Sequence, residues 1–141
     1  MNPKRDHCSE SQINPVEHTA DAGFIIKGRD TGELFLNSLK ALYLLMDPRQ
    51  KSKEFILKKI SLEAPSTEEL LVLWLNELIF LAEQKKIVVD KIGISIDGNK
   101  LEAELKLSEG GINGEVKAAT YHDLSIKKDK HGYCTKIFFD L

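Results

Sequence analysis

The chain has 141 residues, 42% of them hydrophobic and 30% charged, which is the size of one domain able to bury a core. Twenty Lys and Arg stand against 22 Asp and Glu for a formal charge of -2, so the overall basic excess behind strong direct nucleic-acid binding is missing. The longest apolar runs, 70–75 and 78–82, are separated by Asn76 and Glu77 and fall short of the ~20 residues of a bilayer span. With no apolar segment of the secretory type near Met1, the cytoplasm is the expected location.

In chain order, residues 1–14 are polar and without hydrophobic periodicity, which reads as a flexible leader before one domain at 15–141. The two cysteines, Cys8 and Cys134, read as free thiols, because His7 and Cys8 lack the second ligand pair of a metal site. A short strand is expected at Gly23 to Lys27. Asp30 three residues before Glu33 has helix-capping spacing, and Phe35, Leu39, Leu42 and Met46 then recur at helical spacing up to the stop at Asp47-Pro48. From Lys53 to Ala64 the alternation changes phase, which predicts a strand with a bulge near Lys58 and Lys59.

Ser66 and Glu69 form a capping box before the run LLVLWLNELIFLAE, the second helix. Ile92, Ile94 and Ile96, then Leu101, Ala103, Leu105 and Leu107, alternate with polar residues around Asp97-Gly98, the pattern of a hairpin with one wet face. Gly110, Gly111 and Gly114 predict a loop, followed by strands near 115–117, 124–127 and 133–139. The order implies an α+β domain, with two helices packed on one face of a mostly antiparallel sheet.

No GxGxxG, GxxxxGK[ST], GxSxG, HExxH or CxxC motif occurs, so conventional enzymatic machinery has no evident home and the chain is not expected to be an enzyme. Three polar islands remain: residues 17–21, residues 117–122, and Asp140 beside Leu141. Asp21 lies where a loop enters a strand and suits either a turn, satisfying backbone donors, or a cation site. Asp140 next to a terminal Leu141 carboxylate puts two negative charges together, which either solvation or a cation can relieve. Were Asp21 and Asp140 to meet, the all-oxygen donor set would suit a hard cation such as Ca²⁺ or Mg²⁺. Lys117 would be the cationic member of such a site, or else an ordinary surface lysine. A metal-dependent phosphoesterase finds little support in so few ligands and no evident base.

Five blocks carry a resemblance: EHTADAGF (17–24), ELFLNSLKALYLLM (33–46), ELLVLWLNELIFL (69–81), VKAATYHDL (116–124) and IFFDL (137–141). Together they make the chain similar to the archease family over nearly everything after the leader. The resemblance implies an SHS2-like α+β fold and a non-catalytic protein that activates an RtcB-type RNA ligase in tRNA splicing and RNA repair, promoting its GTP-dependent guanylylation and repeated turnover. It implies a divalent metal, Ca²⁺ first, with Mg²⁺ or Mn²⁺ as alternatives, held by Asp21 and Asp140 with Leu141 as a further ligand. It implies an activating role for Lys117, and less directly roles for Glu17, His18 and His122. A second role suggested by the family is a chaperone-like module for tRNA-modifying enzymes such as tRNA methyltransferases, which would depend on exposed apolar surface.

Overall fold

The computed structural model describes residues 12–16 and 21–141. In chain order the elements are β1 (Ile13–Val16), β2 (Asp21–Gly28), α1 (Thr31–Met46), β3 (Pro48–Gln50), β4 (Ile56–Glu63) and α2 (Thr67–Glu83). They continue with β5 (Ile87–Asp97), β6 (Lys100–Ile112), β7 (Ala118–Thr120), β8 (Lys127–Asp129) and β9 (Gly132–Asp140).

Both helices begin where their capping residues predict. The Asp30 carboxylate accepts from the Glu33 N–H at 2.8 Å. Glu33 turns back one residue further than in a capping box, accepting from the Arg29 N–H at 2.7 Å and from its guanidinium at 3.1 Å. Those hydrogen bonds, the backbone one foremost, hold the Glu33 carboxyl below its ordinary range. Asp47 ends α1 in the left-handed region at φ 46°, with its N–H on the Tyr43 carbonyl. At α2 the cap and Glu69 bond through the Ser66 hydroxyl: Ser66 Oγ accepts from the Glu69 N–H at 3.1 Å and donates to Glu69 Oε2 at 2.9 Å.

Among the described residues all strand pairings are antiparallel, in keeping with the mostly antiparallel arrangement expected. The strands divide between two sheets. One runs β1-β2-β9-β7 with β8 also on β9, and the other runs β3-β6-β4 with β5 also on β6. Each helix touches strands of both sheets, α1 through β2, β9 and β5, and α2 through β7, β4, β5 and β6. The helical pair is thus the shared hydrophobic layer. Its centre is Trp74 of α2, fully buried, whose indole N–H donates to the Phe35 carbonyl of α1 at 3.2 Å.

Several local expectations change. No bulge interrupts β4, whose register with β6 is continuous from Ile56 to Glu63. The apparent phase break arises because Leu57 lies on the outer face, 82% exposed, while Ile60 points inward. The irregularity sits in β5 instead, between Val89 and Lys91, where the Tyr43 hydroxyl accepts from the Val89 N–H at 3.0 Å. Gly110 and Gly111 belong to β6 and pair with Gln50 and Arg49. A Cβ on Gly110 would come within 2.5 Å of the Arg49 carbonyl, so close backbone approach, rather than a turn, requires glycine there.

The hairpin between β5 and β6 turns on Gly98, at φ 62°, and Asn99. The strand expected at 115–117 lies slightly later, at β7, and the one at 124–127 reduces to β8. Ile13 and Asn14, grouped with the leader on composition, pair with Ile26 and Ile25. Cys134 is disulfide-bonded rather than a free thiol, since sequence separation says nothing about which sulfurs meet in space. The residues before 12, Cys8 among them, lie outside the described residues. Among the described residues no helix is long and apolar enough to cross a membrane.

Candidate functional site

The outer face of the first sheet is built by alternation. On β2, Phe24 and Ile26 point into the core, and on β9, Ile137 and Phe139 do the same, with Phe24 and Phe139 meeting edge to face at 6.2 Å. Period-two geometry then sends Asp21, Gly23, Phe138 and Asp140 to the opposite face.

Asp21 stands directly opposite Asp140 in the β2–β9 register. Side chains at such positions have Cβ atoms roughly 4.5–5.5 Å apart, and like charges there destabilise the pairing. Asp140 also stands opposite Ala118 of β7, and the Lys117 N–H donates to its carbonyl at 2.9 Å. Three residues from the two ends of the chain and a late loop are therefore gathered at one end of β9. Asp140, Lys117 and Leu141 are exposed, and Asp21 is half-buried.

One row further in, Gly23 faces Phe138. A Cβ on Gly23 would lie 2.5 Å from the Phe138 ring, so the missing side chain lets that ring lie across β2. His122, from the turn after β7, packs its ring on Phe138 at 5.1 Å, and Phe138 is only 2% exposed although it points away from the core. Asp123 beside it occupies the left-handed region at φ 54°. Glu17 and His18 lie outside the described residues.

Two opposed carboxylates are the oxygen donors that a hard divalent cation takes, with neither thiolate nor imidazole required. Asp21 and Asp140 would hold it, with Leu141 adjacent in the chain. Among the described residues no three His, Cys, Asp or Glu side chains converge as a fuller cage.

Sequence reasoning missed the residues that carry the Lys117 segment. Three side chains of α2 accept from its backbone: Glu83 from the Val116 N–H at 3.1 Å, Asn76 from the Ala119 N–H at 2.9 Å, and Glu68 from the Ile126 N–H at 3.1 Å. The available signal was polar residues recurring about every two turns on a helix otherwise apolar nearly all round. A cleft of about 420 Å³ opens between α2 and 115–118, lined by Asn76, Phe80, Glu83 and Lys117. A larger concavity, about 610 Å³, lies on the outer face of the second sheet around Gly93. It is lined in part by the small residues Ser61, Gly93 and Ser95 and belongs to the other sheet from the carboxylate pair.

A model of the Archease protein family (MTH1598/TM1083) matches residues 14–141. A protein archease of Methanosarcina barkeri is 31% identical over 140 residues, covering 92% of this chain and 96% of that protein. Another from Saccharolobus islandicus is 31% identical over 132 residues, covering 89% and 95%. Among solved structures, an archease of Thermotoga maritima, described as a possible chaperone, is 26% identical with a TM-score of 0.69, covering 91% of this chain and 96% of that one.

Proposed function

The chain belongs to the archease family, and from that footing we propose that it is a metal-binding accessory protein that activates an RtcB-type RNA ligase in the cytoplasm. On this reading it joins no RNA itself. Its contribution is a small polar surface, Asp21, Asp140 and Lys117, offered to the ligase's guanylylation centre.

The observation that supports the reading is the register of β2 and β9. It sets Asp21 opposite Asp140, with the Lys117 amide on the Asp140 carbonyl. Two like-charged side chains at directly opposed positions cost stability, and a shared cation relieves that cost. Ca²⁺ suits the oxygen donors, with Mg²⁺ or Mn²⁺ as alternatives, and Leu141 supplies a further main-chain oxygen. Bound there, the cation neutralises the carboxylates and ties β2 to β9. Lys117, a compact charge on a flexible stem, is left to meet a phosphate or carboxylate of the partner.

The test is guanylylation of the ligase with GTP and metal, with and without this protein. Asp21→Ala, Asp140→Ala and Lys117→Ala should each lower the stimulated rate by ~10-fold or more, the scale of a lost hydrogen bond to a charged group. Full stimulation by all three variants would remove the site assignment.

A second reading, a chaperone-like module for tRNA-modifying enzymes such as methyltransferases, draws on the exposed apolar side chains Leu44, Ile56, Leu57 and Phe80. Binding of such an enzyme that survives loss of Asp140 but fails in Leu57→Ser or Phe80→Ser would favour it.

A further inference from the structure

The segment with Lys117 at its centre has a fixed position for reasons that lie on α2. Val116 is fully buried and Ala119 is 5% exposed, so their amides are screened from water and need protein acceptors. Both acceptors are α2 side chains, Glu83 Oε2 for Val116 and Asn76 Oδ1 for Ala119. Between those two anchors the Lys117 N–H reaches the Asp140 carbonyl. A third bond, from the Ile126 N–H to Glu68 Oε2, repeats the device at the far end of the 116–126 stretch. On an apolar helix these half-buried polar side chains cost desolvation that hydrophobic residues would avoid, and each is used on one stretch of backbone.

We infer that Asn76 and Glu83 are positioning residues. They hold the backbone on either side of Lys117, setting both the place from which its ammonium reaches out and the docking of 117–118 against Asp140. The inference rests on the proposed reading of Lys117 as the activating residue and adds the part of the fold that makes Lys117 effective. Neither side chain is assigned any contact with partner or metal. A cleft lined by Asn76, Phe80, Glu83 and Lys117 lies beside these two anchors.

The experiment uses the full chain. Amide hydrogen exchange is followed at 116–120 in wild type, in Asn76→Leu and Glu83→Leu, which remove the acceptors, and in Asn76→Asp and Glu83→Gln, which keep one. Glu77→Ala, on the same helix, is the control. In wild type the Val116 and Ala119 amides should exchange more slowly than those of exposed Glu115 and Tyr121. The Leu variants should accelerate exchange there by ~10-fold, the scale of a lost hydrogen bond to a charged or strongly polar acceptor. They should also lower ligase stimulation with little change in melting temperature, while the acceptor-keeping variants recover both. Should a Leu variant not fold, Asn76→Ala and Glu83→Ala replace it, and the wild-type exchange pattern stands by itself. Unchanged exchange in the acceptor-less variants overturns the inference, as does accelerated exchange with undiminished stimulation. Failure of the functional reading shows separately, as Lys117→Ala stimulating like wild type, and exchange then still decides whether the two side chains hold the segment.

Discussion

The two sheets handle charge in opposite ways. In the second sheet, charges on neighbouring strands are matched: Lys59 faces Glu104, and Lys100 stands between Glu63 and Asp97. Its like-charged pair, Lys91 opposite Lys106, falls at the β5 bulge. There Asp90 comes within 3.9 Å of the Lys106 ammonium, which also lies 4.1 Å from the Phe55 ring. In the first sheet, Asp21 is set against Asp140 at the end of the β2–β9 ladder. The second sheet follows the rule for cross-strand pairs and serves as scaffold, whereas the first departs from it at the point where the family motifs converge.

The largest effect should come from the layer the sheets share. Trp74→Ala removes a fully buried indole and its bond to Phe35, and should cost about 3–5 kcal/mol in denaturant unfolding. If both sheets depend on that layer, they unfold in one transition. Two separated transitions would show that the contrast is between independent units.

The next effect tests the contrast itself. Ca²⁺ at a hundredfold excess over its dissociation constant should stabilise wild type by about 2.7 kcal/mol. In Asp140→Asn that gain should vanish, while in chelator the variant should be more stable than wild type by about 0.2–1 kcal/mol as the opposed charges are relieved. Lys59→Ala should leave the calcium response intact.

Two glycines sharpen the comparison further. Gly23→Ala must push into the buried Phe138 ring, at a cost of about 1–3 kcal/mol. Gly93→Ala in the second sheet meets nothing within 4 Å and should be neutral or stabilising by about 0.5–1 kcal/mol. Equal losses at both positions would mean that the first sheet's face is not specially packed. The smallest effect belongs to Lys59→Ala itself, about 0.2–1 kcal/mol and shrinking as salt is raised.

What the sequence made legible was local. Asp30, Ser66 and Glu69 announced helix starts, Pro48 a stop, and the alternation through Ile92–Ile96 and Leu101–Leu107 a hairpin. Each signal acts within a few residues of its own backbone. β1 and β3 escaped because short strands carry too few alternations to register, and they are recognisable only from their partners β2 and β6. The division into two sheets and the use of Gly110 for close approach are likewise properties of residues distant in sequence.

The site was legible in part. Residue chemistry left Asp21 and Asp140 open between turn, frayed end and cation, and Lys117 open between a member of that site and a surface lysine; the family blocks chose among these. The strand register then accounts for how they come together. Asn76 appeared merely as an interruption in an apolar run and Glu83 as its last residue, because their partners lie 43 and 33 residues away on the backbone of 116–119.

The most direct test of the central claim is anomalous diffraction from crystals of this protein grown with Mn²⁺. The account predicts one strong peak between the Asp21 and Asp140 carboxylates in wild type and none there in Asp140→Asn. A structure with no peak at that position, or one in which the peak persists in Asp21→Asn/Asp140→Asn, would contradict it.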